Sequence, residues 1–539
     1  MIFGAVIAEA GVSAVWALHE SQNIERDGTN SPYKTSNYIW DGTTASIFGA
    51  KNEIVGFQVM VQADGSGISS LSASLPQLTH SGGGASIVYA PPVADPSNYV
   101  GRPIHLFSVN YMNITQPTTA SWVLHSNGNS DPDDQTGWKP VQLVPENATQ
   151  GRGGFPLEVS SNQNQSIWID IYIGKSLPAG MYTGNVTIDA DGSQQLLPVQ
   201  LEVFDFTLPD ENSMPMWGYW EPEQMPTRMG GDYEDEFHRM AHRYRVELSV
   251  AYDEGTAEAR GDLFDGSAFT SANGYEGPGE NTGMRVLPRS LYGIDASWEV
   301  ASTAYSQGNS WMDWVNANAA EDVITFLYVI DEPNNQEAYD YAVETCTMLR
   351  GNTGSGADLP LLVAEHANDQ MDGLVDIWSS GPWRYEIAAA IDEIAKGNQW
   401  WTYNGGRPYH GAVCDDAPAI EARMIPWASF KHDVDVYWFW MMNHWYHNRH
   451  WDGAGNREQN IWGNPITFNG GGSDLINGDG VFFYPGLEII YPAEDRGIPG
   501  PIPCIRLANM RRAGEQRAPG VRNTPGPGAL PGGQVAGKR

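Results

Sequence analysis

Ile324-Thr325-Phe326-Leu327-Tyr328-Val329-Ile330-Asp331-Glu332-Pro333 opens as a β-branched and aromatic run and closes on two adjacent carboxylates and a proline. The apolar part predicts a strand buried on both faces, as in a parallel sheet. A buried strand has no structural use for Asp-Glu, because an unpaired ionised group in an apolar setting is costly or changes its protonation. The proline stops the ladder, and its fixed φ suits the first turn of a following helix. In a barrel of parallel strands the acid pair would stand at the C-terminal mouth, where such folds carry their chemistry. The competing expectation is that Asp331 or Glu332 caps the next helix.

Working outward from this run, strand-like segments alternate with helical spacing. Strands are expected at Met214–Trp220, Val246–Tyr252, Leu361–Ala364, Val375–Trp378, Gln399–Tyr403 and Val434–Met441. Helical stripes run through Phe237, Met240, Ala241 and Tyr244, and through Tyr339, Ala342, Val343, Cys346 and Leu349. A third stripe, Ile387, Ile391 and Ile394, ends at Gly397. Seven or eight strands alternating with helices predict a (β/α)8 TIM-like barrel over residues 207–516.

Upstream the period changes to two. Val55, Phe57, Val59 and Val61 share one strand face, and the odd positions of Ile167–Ile173 are all isoleucine. Ser81-Gly82-Gly83-Gly84, Leu177-Pro178-Ala179-Gly180 and Asp191-Gly192 punctuate these segments. Short alternating strands between such turns predict an antiparallel β-sandwich over 28–206. The fold class is therefore multidomain, β followed by α/β. Residues 1–27 receive no assignment, and the Pro/Gly/Arg-rich stretch 517–539 is expected to be disordered.

Composition narrows the partners. The chain has 539 residues, with 65 Asp+Glu against 30 Lys+Arg and a formal net charge of −35. That sign disfavours nucleic acid and anionic membrane surfaces, since phosphate binding needs the opposite one. Only 7 of the basic residues are lysine, a balance equally compatible with a high-salt habitat and with a plain solvated surface. Cys346, Cys414 and Cys504 are odd in number and far apart, which makes neither a disulfide framework nor a zinc site. His410, His432, His444, His447 and His450 lack HExxH spacing and are expected at the surface rather than on a metal. No cofactor motif follows any strand, and no apolar run is long enough to span a membrane. Met1 to Ala17 is apolar but holds Glu9 and lacks a cationic start, so it makes an unconvincing export signal.

Several expected strand ends carry side chains suited to a sugar. Trp217 and Trp220 close one; Trp400, Trp401, Tyr403 and Asn404 another; Trp438, Trp440, Asn443, His444 and Trp445 the last. Flat aromatic faces stack on pyranose C–H faces, while amides and hydroxyls orient hydroxyl groups. The other expectation for these aromatics is core packing. The candidate binding set is Trp220, Glu365, Tyr403, Asn404, Trp440, Asn443 and Trp445, around Asp331 and Glu332 as the catalytic pair.

In order and spacing these motifs resemble glycoside hydrolase family 123 and its wider relatives, over roughly residues 45 to 512. The resemblance rests on Ala50-Lys51-Asn52-Glu53 with Phe57-Gln58, on Trp168 with Pro178-Ala179-Gly180-Met181-Tyr182-Thr183-Gly184, and on Asp331-Glu332-Pro333. Val375-Asp376-Ile377-Trp378, Trp400-Trp401-Thr402-Tyr403, Arg423 with Trp427, and Tyr437-Trp438 extend it. Gly478-Asp479-Gly480, Tyr484-Pro485-Gly486 and Ile505-Arg506-Leu507 complete it.

What the resemblance implies is a retaining β-N-acetylgalactosaminidase without a cofactor, in which the substrate's own 2-acetamido oxygen attacks the anomeric carbon. Glu332 would be the general acid/base, and Asp331 would orient the acetamido nitrogen. The partner is then a glycan, and a secreted, periplasmic or cell-surface location is expected. An ordinary retaining enzyme needs a second carboxylate about 5 Å from the acid, and Trp401-Thr402-Tyr403-Asn404-Gly405-Gly406 offers none. Glu365, Asp376, Asp415 and Asp416 remain as substitutes. After Arg511-Arg512 the sequence departs from the family's closing helix, which suggests an altered C-terminus.

Overall fold

A computed structural model describes residues 11–124, 136–447, 457–470 and 474–514. The expectations for the tail at 517–539 and for His450 lie outside the described residues.

The first half of the chain builds two facing sheets. Its strands are β1 (Val12–His19), β2 (Ala45–Lys51), β3 (Glu53–Ala63), β4 (Ile68–Ser74), β5 (Gln77–His80) and β6 (Ser86–Val88). They continue with β7 (Ile104–Ile114), β8 (Gly137–Pro145), β9 (Leu157–Val159), β10 (Asn164–Ile173), β11 (Gly180–Ala190) and β12 (Ser193–Thr207). One sheet runs β1-β3-β10-β7-β8 and the other β2-β12-β11-β4-β9, with β5 and β6 attached to the latter. One apolar core draws on both sheets. The pairing is antiparallel except for β2 on β12, which is parallel. Residues 12–19, left unassigned from sequence, pair with β3 as an edge strand.

Strand β10 shows why period two matters here. Ile167, Ile169, Ile171 and Ile173 are fully buried in the core shared by the sheets. The alternate face carries Trp168 and Asp170 toward the second half of the chain, where Trp168 joins a different apolar cluster. Asp170 accepts two hydrogen bonds from Arg511, at 2.8 and 3.0 Å, and one from the Trp168 indole at 2.8 Å. Arg511 is fully buried. Removing one partner of such a pair strands the other charge, so Asp170→Ala is expected to cost about 3–5 kcal/mol in a denaturant titration.

The second half forms a nearly closed barrel of eight parallel strands. They are β13 (Met216–Tyr219), β14 (Glu247–Ser249), β15 (Val286–Pro288), β16 (Ile324–Asp331), β17 (Leu361–Ala364), β18 (Ile377–Ser380), β19 (Gln399–Tyr403) and β20 (Tyr437–Phe439). The ladder runs β14-β13-β20-β19-β18-β17-β16-β15, which is cyclic chain order with one seam between β14 and β15. Side chains bridge that seam. The Glu247 carboxylate accepts from the Arg285 and Val286 amides, both at 2.9 Å, and Ser249 Oγ donates to Val286 O at 3.1 Å.

The helices are α1 (Ser121–Leu124), α2 (Gln224–Met229), α3 (Glu234–Arg243), α4 (Glu254–Ala259) and α5 (Gly261–Asp265). The rest are α6 (Ala301–Asn318), α7 (Gln336–Arg350), α8 (Ile387–Lys396), α9 (Ala419–Lys431) and α10 (Ile505–Gly514). No α-helix separates β17 from β18, so the alternation is incomplete there. Among the described residues no helix is long and apolar enough to cross a membrane.

Three local expectations need correction. Strand β15 is only three residues long, too short to show a period, and it was not anticipated. The isoleucine stripe of α8 faces outward: Ile387 and Ile391 are 51% and 59% exposed. That helix buries Ala390 and Glu393 instead, with Glu393 accepting from Trp378 Nε1 and Asn398 Nδ2 at 2.8 and 2.7 Å. Finally, His410 and His444 are buried, not on the surface.

Candidate active site

The interior of the barrel is filled by Trp217, Val286, Phe326, Tyr328, Leu362, Ala364, Ile377, Trp401, Tyr403, Val436 and Trp438. Trp217 and Trp438 stack at 5.3 Å with 12° between their planes. Most of the strand-end tryptophans are therefore packing, and only the upper layer borders the acid pair.

How Asp331 comes to face inward follows from the register of β16. Tyr328 lies opposite Leu362, and Asp331 opposite Ala364. Leu362 and Ala364 both point into the barrel, so β16 uses three steps where β17 uses two. This bulge near Val329 shifts the alternation by one residue. Without it Ile330 would enter the barrel and Asp331 would face the helices. The next residue, Glu332, turns back through φ = 40°, a conformation rare for a side chain other than glycine. Two devices thus bring neighbouring carboxylates to one opening.

Each carboxylate meets a tyrosine. Tyr328 Oη donates to Asp331 Oδ1 at 2.7 Å, and Tyr403 Oη donates to Glu332 Oε1. Asp331 is exposed as a residue, yet its carboxyl lies against the Tyr328 ring at the edge of the aromatic wall. That partial loss of water raises its carboxyl to about 6; the Tyr328 hydrogen bond opposes the rise and the Glu332 charge adds to it. Neither acid caps α7, because Asn335 does so, its Oδ1 accepting from the Ala338 amide at 3.0 Å. Pro333 accordingly ends the strand without entering the helix, which begins at Gln336.

The aromatic wall is continuous. Tyr403 and Trp438 lie 5.0 Å apart, Trp438 and Tyr328 6.1 Å, Tyr328 and Tyr292 5.8 Å, and Tyr292 and Tyr219 5.5 Å. Tyr292 and Asn404, like Glu332, have positive φ, at 59° and 55°. Three bulky or polar residues in this region at one strand-end layer mark a place where the fold sustains strain, as functional sites do. Asn404 Oδ1 accepts from the Trp440 amide at 3.3 Å, and Tyr292 Oη donates to Trp440 O. Among the candidate binding residues, Tyr403, Asn404 and Trp440 are thus joined to the acid pair through this layer.

The others are placed differently. Trp220 and Trp445 are at most 1% exposed, in a core beneath α3, where Trp220 stacks on Phe237 at 5.7 Å. Asn443 is fully buried and exchanges two 2.9 Å hydrogen bonds with the Glu221 backbone, clasping the loops after β13 and β20. Glu365 is 1% exposed. It accepts from Tyr339 Oη at 2.9 Å, from the His366 amide at 2.8 Å and from Arg384 at 2.6 and 2.8 Å. Burial alone would raise its carboxyl; these bonds outweigh that and hold it low. Asp376 pairs with Arg350 just before β18, at the opposite end of the barrel. Asp415 pairs with Arg506 at 2.9 Å, and Asp416 accepts from Thr118 at 2.6 and 2.7 Å. All four substitute nucleophiles are engaged elsewhere in the fold.

Sequence reasoning missed the tyrosines of the wall beside the acid pair, Tyr328, Tyr292 and Tyr219. Tyr328 lies inside the run that identified the acids, and the bulge that aligns it with Asp331 leaves no mark in composition. A cavity of about 250 Å³ lies at the other end of β14 and β15, lined by Asp210, His242, Arg245, Glu247 and Arg285 among others. Its position at the N-terminal face makes it a poor place for barrel chemistry. Among the described residues no group of three His, Cys, Asp or Glu side chains could hold a metal ion.

A pH prediction follows from the Asp331–Tyr328 bond. Tyr328→Phe removes a donor that favours the charged carboxylate, so the Asp331 transition should move upward from about 6. An acid limb in the pH profile that stays in place would show that this bond does not set it.

The comparisons with known proteins agree with this geometry at the level of fold. The structure resembles that of a family 123 glycoside hydrolase from Clostridium perfringens, with a TM-score of 0.61 and 12% identity, covering 93% of this chain and 87% of that one. The resemblance read from the motifs is therefore matched by the fold. A β-glucuronidase from Parabacteroides merdae matches at a TM-score of 0.25 and 9% identity, over 71% of this chain and 45% of that one, too loosely to bear on the argument. No family model and no curated protein matches the sequence.

Proposed function

We propose that this protein is a glycoside hydrolase that cleaves β-linked N-acetylhexosamine, foremost N-acetyl-β-galactosamine, with retention and with assistance from the substrate. The observation that carries the proposal is the delivery of Asp331 and Glu332 side by side to one aromatic-walled barrel mouth, each on its own tyrosine. The scaffold is then a β-sandwich followed by a (β/α)8 barrel of the glycosidase kind. The Clostridium perfringens neighbour acts in glycolipid glycan hydrolysis, and a related glycan is the natural substrate class here.

In this reading Tyr292, which is 37% exposed, and Tyr403 beside Glu332 receive the pyranose face. Glu332 donates a proton to the leaving oxygen. Asp331, ionised above about pH 6, holds the acetamido N–H and stabilises the positive charge that develops on the ring formed by acetamido attack. The engagement of Glu365, Asp376, Asp415 and Asp416 supports the substrate's own oxygen as the nucleophile.

The test is nitrophenol release from matched nitrophenyl glycosides with and without the 2-acetamido group. Turnover is expected only with the acetamido sugars, together with inhibition by an acetamido-mimicking thiazoline. Equal turnover of 2-hydroxy sugars, unaffected by the thiazoline, would replace this reading with an ordinary glycosidase.

A further inference from the structure

A cavity of about 30 Å³ lies where β7 and β8 meet α3, far along the chain from the acid pair. Arg102 and Arg243 both line it, and they are 7% and 3% exposed. A buried guanidinium cannot shed its proton, so it needs a counter-charge. Yet the hydrogen bonds of these two go to carbonyls: Arg102 to Asn98 O at 3.0 Å and Arg243 to Glu276 O at 2.8 Å. Arg102 Nε and Arg243 Nη2 are buried without a partner. Arg243 lies over the Tyr99 ring at 4.2 Å, which supports a cation without neutralising it.

Two acids line the same cavity, and neither is hydrogen-bonded to Arg102 or Arg243. Asp170 is held by Arg511 and Trp168. Glu146 accepts from Tyr89 Oη at 2.9 Å and lies within electrostatic reach of Arg102 without a hydrogen bond to it. The third basic side chain on the wall, His105, has its Nε2 on Arg102 O at 2.7 Å. A chain of net charge −35 thus encloses, between its two halves, a small hollow in which two guanidiniums share one carboxylate, Glu146, and one positive charge is left over.

We infer that this hollow binds a monatomic halide, chloride in practice, between Arg102 and Arg243, as an ionic link between the sheet pair and the barrel. The volume suits a particle the size of one or two waters, which admits a halide and excludes sulfate or phosphate. Ligand-linked stabilisation then applies to the folded chain alone.

The experiment uses the full-length protein. Its Tm is followed as chloride replaces gluconate at constant ionic strength, and crystals grown in bromide are examined for anomalous scattering. Expected are a saturable upward shift of Tm in chloride and a bromide peak between the two guanidiniums. Arg243→Gln and Arg102→Gln should each abolish the shift. Identical Tm in both salts, or a water with no anomalous signal at that point, overturns the proposal even if neither variant folds.

Discussion

Glu332→Gln is expected to lose about 10²–10⁴-fold in kcat on an N-acetyl-β-galactosaminide with a poor leaving group, and to recover most of that loss on a dinitrophenyl glycoside. The recovery is the informative part. A good leaving group departs without a proton, so only a variant that lacks the acid is rescued by it. The Tyr403 bond to Glu332 fixes the carboxyl at the mouth, and glutamine retains the size needed to stay there. Rescue in the Asp331 variant instead would exchange the two roles, a possibility the raised Asp331 pKa makes worth separating.

Asp331→Asn should lose about 10²–10³-fold on both kinds of leaving group, because it removes charge stabilisation that each needs equally. It should also raise the Tm at neutral pH. The folded chain holds the Asp331 proton up to about pH 6, whereas an unfolded chain releases it near about 4. The contribution of this group to stability therefore falls as pH rises through that window, and above it the fold carries a disfavoured charge. A neutral amide escapes that charge. A variant both less active and less stable would mean that Asp331 serves the fold rather than the chemistry.

Much of the architecture was legible because burial leaves a period. The odd isoleucines of β10 and the solid apolar run of β16 announced a two-faced sheet and a doubly buried strand, and both sit as those patterns require. The outward isoleucines of α8 show the limit, since a stripe says that one face is apolar without saying which face is covered. The placing of Asp331 and Glu332 at the end of a strand was legible from chemistry, as two charges that a buried strand cannot use. The tyrosines were not, because Tyr328 reaches Asp331 only through a one-residue bulge, and Tyr292 follows a strand too short to recognise. The tryptophans misled for a related reason. Large rings pack cores as well as they stack on sugars, and Trp220 and Trp445 do the former in the core beneath α3.

The most direct test is a crystal structure with the acetamido-mimicking thiazoline bound. The account predicts the ring against Tyr403 and Tyr292, its nitrogen on an Asp331 carboxylate oxygen and its O1 side facing Glu332. A thiazoline bound at any other place, or bound here with the two carboxylates directed away from it, would contradict the account.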